Sequence, residues 1–270
     1  MRTMKSQLIP AALAVLVLFA ASCSTVPVTG RSQLNLIPAS TMLSMSFQEY
    51  STFMSSNQVS RDQANVQMVQ RTGTNIKNAV ESYMRQQGLS DQLKGYQWEF
   101  NLVESKDVNA WCMPGGKVVV YTGILPITQN ETGLSVVMGH EIAHAIAEHG
   151  NERMSQGLLT QLGGMALNEA LANKPEQTRA LWMTAFGAGA QLGVLLPFSR
   201  LHESEADKLG LIFMAMAGYD PNEAVSFWQR MAAKSGGSST PEFLSTHPSD
   251  DTRITNLRAA LPEALKYYRK

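Results

Sequence analysis

Residues 135–152 read SVVMGHEIAHAIAEHGNE: His140 and His144 stand four apart, Glu141 follows the first, and the remainder is largely apolar. Four residues make about one helical turn, so both imidazoles leave the same side of a helix. That spacing lets two ring nitrogens converge on one ion at about 2 Å, the usual zinc–nitrogen distance. Glu141 projects beside them, where its carboxylate can take a proton from a water the ion activates. This is the chemistry behind the HExxH signature of zinc hydrolases. The competing reading is a core helix that carries two satisfied histidines. A catalytic zinc needs a third protein ligand, and RLHESEADKLG (200–210) carries Glu203 and Asp207 four apart on one helical face, with Glu205 pointing elsewhere. Glu203 is the candidate third ligand, and Asp207 can hold a ligand histidine by its other ring nitrogen. Alone, this acidic run would be a solvated face. Beside HExxH it completes a ligand set.

The flanking patterns predict an α+β chain, mostly helical. Leu134, Val137, Met138, Ile142, Ala145 and Ile146 form one apolar stripe on the HExxH helix, with Gly150 as its stop. Helices are expected upstream at about 41–56 and 61–87. Strand chemistry occupies 96–104, 108–113 and 116–125, with Pro114-Gly115-Gly116 turning between the last two, which predicts a small antiparallel sheet. Further helices are expected at about 202–217, from Asp220 onward with Glu223 closing a capping box, and at about 248–261. Residues 180–199 carry no charge. They fit a buried or substrate-facing helix, with shallow membrane contact as the minority reading.

The chain opens with Arg2 and Lys5, an apolar stretch from about Ala11 to Ala21, and small residues before Cys23. This is the pattern of a secretion signal. Its ending, AASC, resembles a bacterial lipobox, although Ala20 stands where leucine is usual. The expected organisation is a cleaved signal at 1–22, a lipid tether on Cys23 with an extended segment over 23–40, and one zinc metallopeptidase domain over 41–270. Cys112 then has no disulfide partner and reads as a small buried hydrophobe. The 22 basic residues equal the 22 acidic ones, and no basic stripe or Gly-rich phosphate loop is present, so nucleic acid is not an expected partner.

HExxH followed about sixty residues later by ExxxD, together with VPVTGRSQLNLIP (26–38), NAWCMPGGKVVVYTGIL (109–125) and FLSTHPSDDTR (243–253), resembles the gluzincin metallopeptidases. Within them it is similar to the family of HtpX, the CAAX prenyl endopeptidases and the mitochondrial Oma-type protease, with the periplasmic BepA-like lipoproteins as the nearest branch. The resemblance implies a gluzincin-like fold with a small antiparallel-edged sheet. It implies one catalytic zinc ion held by His140, His144 and Glu203, with Glu141 as general base and Asp207 behind a ligand. It also sets His247 and Arg253 near the open side of the metal as catalytic groups. A donor there can stabilise an oxyanion, typically worth about 3 kcal/mol. His247 could instead bind zinc directly and give a latent enzyme. Asn109, Ala110 and Trp111 are implied as a substrate-binding edge strand that pairs with extended polypeptide.

The implied function is a zinc-dependent endopeptidase of the bacterial cell envelope acting on unfolded or misassembled envelope polypeptides. It would face the periplasm on a lipid anchor, with the outer membrane favoured because Ser24, not aspartate, follows the cysteine. The alternative is a zinc-containing chaperone or assembly factor for outer-membrane proteins whose proteolysis is latent. BepA-like proteins continue into a tetratricopeptide array, and no such repeat fits here, so docking of that kind is not expected. HtpX and the prenyl endopeptidases carry several membrane helices that this sequence lacks, so prenylated substrates are not expected either.

Overall fold

The computed structural model describes residues 23–27, 29–191, 195–234, 241–247 and 251–268. Residues 1–22, which carry the signal-peptide reading, lie outside them. Along the chain, strands β1 (Cys23–Thr25) and β2 (Ser32–Leu34) precede helices α1 (Ala39–Ser56) and α2 (Gln63–Gln86). Strands β3 (Glu99–Val103), β4 (Ala110–Met113) and β5 (Lys117–Tyr121) come next, then the single turn α3 (Leu125–Thr128) and α4 (Glu131–Ile146). The rest is helical: α5 (His149–Ala170), α6 (Glu176–Ala190), α7 (Leu196–Met216), α8 (Glu223–Lys234), the short α9 (Glu242–Thr246) and α10 (Asp251–Ala264). The expected α+β, mostly helical class is what forms.

The chain divides into two compact units, Met1–Pro38 with Gly150–Leu196, and Ala39–His149 with Pro197–Lys270. In the first, β1 and β2 pair antiparallel, Cys23 opposite Leu34. The segment around β2 is fastened to α5. Arg31 grips both carboxylate oxygens of Glu152 at 2.8 and 2.7 Å, and Asn151 accepts from the Ile37 N–H and donates to its carbonyl. Helix α6 covers the first part of the uncharged stretch 180–199, and because none of its residues is buried it corrects the buried alternative expected there. Phe186 packs on Gly163 and Gly164 of α5, while Leu181 and Trp182 remain 70% and 55% exposed. Among the described residues no helix is long and apolar enough to cross a membrane.

The second unit is built around α4. Asn130 caps it, its side-chain oxygen accepting from the Gly133 N–H at 2.9 Å, and every residue from Gly133 to Ile146 is buried. The expected single apolar stripe is therefore buried on all sides, by α2, α3, α8, β4 and β5. The expected stop at Gly150 is also corrected. The helix ends at Ile146, and Glu148, in the left-handed region at φ 54°, reverses the chain so that α5 begins at His149.

The sheet order is β3-β5-β4. The hairpin expected at Pro114-Gly115-Gly116 forms, with Gly115 and Gly116 at φ 88° and 83°, and pairs β4 antiparallel with β5. Here β5 inserts between β3 and β4, so it runs parallel to β3 and the sheet is antiparallel at one edge only. The outer side of β3 is covered: Val59 bridges to Val103, Ser60 N–H donates to the Leu102 carbonyl and Glu104 N–H to that of Gln58, both at 2.8 Å. Among the described residues, β4 is left as the open edge of this sheet.

Candidate metal centre

Two glycines bring α4 and α7 together. A Cβ on Gly210 would lie 2.9 Å from the His140 backbone nitrogen, and one on Gly139 would lie 3.0 Å from the Gly210 carbonyl oxygen. A side chain at Gly210 would force the two backbones apart, and one at Gly139 would crowd them. The resulting backbone approach sets the carboxylates of α7 against the imidazoles of α4.

At that crossing His140 Nε2, His144 Nε2, a Glu203 carboxylate oxygen and His247 Nδ1 converge, and their donor atoms lie within 4.8 Å of one another. His140 Nε2 is 3.1 Å from His144 Nε2, 3.1 Å from His247 Nδ1 and 3.3 Å from Glu203 Oε2. Glu203 Oε1 is 3.2 Å from His144 Nε2, and Oε2 is 3.0 Å from His247 Nδ1. Four donors in a tetrahedron, each at zinc distance from its centre, lie about 3.3 Å apart. The three imidazoles and one carboxylate thus fit zinc in number, chemistry and spacing. Behind them, His140 Nδ1 meets Asp207 Oδ1 at 3.0 Å, leaving Nε2 to face the cluster.

Glu141 stands beside this set. Its Oε1 is buried without a hydrogen-bond partner, and His247 Nε2 is 3.4 Å away, outside hydrogen-bonding geometry. Burial raises the Glu141 carboxyl, although His247 and His140 oppose the rise. A carboxylate shifted upward is the better proton acceptor at neutral pH. Burial also resists charge on Glu203, yet hydrogen bonds from His140, His144 and His247 outweigh it and hold the carboxyl far below its usual range. His144 is pushed well down by burial, against hydrogen bonding from Glu203, with His140 adding to the fall.

Arg253 lies against the two carboxylates of α7. Its Nη1 donates to Glu203 Oε2 at 3.2 Å and its Nη2 to Asp207 Oδ1 at 2.6 Å, with the guanidinium 3.4 Å above the Trp228 ring. Trp228 stacks on Phe243, and Phe243 packs on His247 at 4.6 Å between ring centres, which gives the centre an aromatic wall. The sequence reading missed both rings; each occupies a regular apolar position with nothing to separate it from ordinary core.

On the open strand, Asn109 carbonyl accepts from Tyr121 N–H, so Ala110 turns its N–H and carbonyl to the free edge. Asn109 Oδ1 caps that Ala110 N–H at 2.9 Å. The Trp111 ring packs inward, edge-on to Phe53 at 4.9 Å and Tyr50 at 6.3 Å, and its main chain, opposite Val119, faces β5, so Ala110 is the residue of these three that presents main chain to the edge. The α9 segment that carries His247 begins beside this edge, with Phe243 N–H donating to the Val108 carbonyl at 3.0 Å. His149 and Glu205, to which the sequence reading gave no role, sit behind His144.

A helical HExxH, a glutamate from a later helix and a small sheet edge alongside define the metallopeptidase class of fold. Residues 70–261 match peptidase family M48, and the chain belongs to that family. It is 35% identical over 203 residues to the mitochondrial metalloendopeptidase OMA1 of Schizosaccharomyces pombe, covering 70% of this chain and 53% of that one. Human metalloendopeptidase OMA1 is 32% identical over 248 residues, covering 89% and 46%. The β-barrel assembly-enhancing protease of Yersinia pestis is 32% identical over 166 residues, covering 60% and 34%. The chain thus spans about half the length, or less, of these relatives.

Proposed function

We propose that this chain is a zinc-dependent endopeptidase of the bacterial cell envelope. The observation that carries the reading is the convergence of His140, His144, Glu203 and His247 donor atoms within 4.8 Å of one another, with Glu141 Oε1 buried and unpartnered beside them. A zinc ion held there would polarise a peptide carbonyl and lower the pKa of the attacking water toward about 7. Glu141 takes the proton from that water and returns it to the leaving amine. Asp207 orients His140, and Arg253 holds Glu203 and Asp207 in place. Extended polypeptide adds to the free edge of β4 along Asn109, Ala110 and Trp111, displacing Asn109 Oδ1 from the Ala110 N–H and pairing with the Ala110 N–H and carbonyl that face that edge.

His247 makes a fourth donor, and a metal site with four protein donors is closed. With zinc held by all four, the resting form would be latent, and withdrawal of His247 would open the position that substrate needs. A lipid on Cys23, facing the periplasm at the outer membrane, would tether the enzyme among its substrates, unfolded or misassembled envelope proteins. The signal pattern of residues 1–22 and the similarity to the assembly-enhancing proteases support that location and the BepA-like branch. The same closed donor set favours a second reading, a zinc-containing assembly factor whose proteolysis is minor.

Zinc content and casein cleavage, measured on the form beginning after Cys23, test this. Wild type should hold about one zinc per chain, and Glu141→Gln should keep it while losing cleavage by about two to four orders of magnitude. His247→Ala should keep zinc and raise cleavage. Absence of zinc from the wild type would sink the metal centre. Envelope function that survives Glu141→Gln would favour the assembly factor.

A further inference from the structure

His149 is wholly buried, and the steps above give it no task. The left-handed Glu148 returns the chain so that His149 Nδ1 comes 2.9 Å from His144 Nδ1. On its other side, His149 Nε2 lies 3.2 Å from Glu205 Oε2. His202 stacks on the His149 ring at 4.3 Å and 16°, which holds its plane. Glu205 is itself buried.

The donor and acceptor roles follow in order. A carboxylate accepts, and a neutral His149 that donates to Glu205 from Nε2 has a bare Nδ1. That bare nitrogen must accept from its neighbour, so His144 carries its proton on Nδ1. The lone pair of His144 Nε2 is then free, and Nε2 is the atom turned toward His140 and Glu203. His140 receives the same service from Asp207 directly; His144 receives it through one intervening ring.

We propose that Glu205 and His149 are positioning residues for the metal, fixing the tautomer and ring angle of ligand His144. The inference rests on reading His144 as a zinc ligand. Orienting partners of this kind usually change metal affinity by about 10- to 100-fold.

The test is zinc affinity of the full mature chain, by competition with a chromophoric chelator, for wild type, His149→Phe, His149→Gln and Glu205→Met. Phe keeps ring volume but cannot accept from His144, so affinity should fall by about 10- to 100-fold. Gln offers a carbonyl acceptor and should recover most of that loss, and Glu205→Met should fall between. The visible spectrum of the cobalt-substituted protein should shift in the Phe variant and return in the Gln variant, which a merely structural role would not produce. Equal zinc affinity in His149→Phe and wild type would overturn the proposal. Should that variant not fold, nitrogen-15 spectra of the histidines in the zinc-loaded wild type decide. A proton on His149 Nε2 alone supports the relay, and one on its Nδ1 ends it. A wild type that binds no zinc would instead remove the metal centre itself.

Discussion

Lys117 is 3% exposed, and its ammonium ends on the Glu99 carboxylate, below the rings of Phe47 and Tyr50. The Lys117 hydrogen bond is the chief reason the Glu99 carboxyl is held below its usual range, against partial burial and with help from the Tyr50 hydroxyl. A carboxyl lowered in the folded state gives stability that is present above its unfolded pKa of about 4.3 and lost as pH falls through the folded value. Glu99→Gln should therefore cost about 1–2 kcal/mol at neutral pH, discounted because the Glu99 side chain is half exposed. The deficit should shrink as pH drops below about 4, where wild type loses the same contribution. Urea titrations of both proteins at the two pH values measure it. At this scale the candidate ligands on α4 and α7 were legible because four-residue spacing puts two side chains on one face. His247 and Arg253 came only by resemblance, since no local pattern marks a residue that reaches a site across a hundred positions. His149 was hidden for another reason: five residues past His144, no continuous helix would bring it to the same face, and Glu148 in a left-handed conformation does.

The crossing of α4 and α7 depends on glycine at two positions that the ligand motifs do not include. Gly210→Ala would drive a methyl into the backbone of His140, which cannot give way as a side chain could. The helices must separate, at about 1–3 kcal/mol for overpacking. The variant should keep its helical circular dichroism, melt lower, and retain less zinc after dialysis. Gly157→Ala is the contrasting case. Nothing lies within 4 Å of a Cβ there, and replacing a mid-helix glycine should stabilise by up to about 1 kcal/mol. If Gly210→Ala kept wild-type melting and zinc, the close crossing would not be what assembles the centre. Helices α1, α2, α8 and α10 were legible from apolar periodicity to within a few residues, whereas α5, which follows the reversal at Glu148, was not. Strand order was not, because alternation along β3 says which face is buried and nothing about whether β4 or β5 lies beside it.

Over the whole molecule, the donors come from α4, α7 and the segment after α9, with Arg253 of α10 bracing them. A metal joining segments this far apart in sequence stabilises the folded chain through its binding free energy. Chelation should lower the melting temperature of wild type, and that shift should be absent in His140→Ala. Calorimetric scans with and without chelator measure the difference. An equal shift in both proteins would mean that the chelator acts elsewhere. The family was legible in the sequence because its motifs survive without their context; the division of the chain into two units was not, since no composition break marks Gly150 or Leu196.

If extended polypeptide docks on β4 as proposed, the open side of that strand has a consequence for what the protein can select. An edge that bonds only main chain asks of a polypeptide whether it can be straightened over about a strand's length, and is indifferent to which side chains it carries. A folded protein meets that demand only in the fraction of time that a stretch of it is locally unravelled, a fraction set by its own free energy of opening. Susceptibility would then rank proteins by how weakly they hold themselves together. Destabilising a folded test protein by 1.4 kcal/mol would raise its turnover about tenfold wherever opening is fast and reversible.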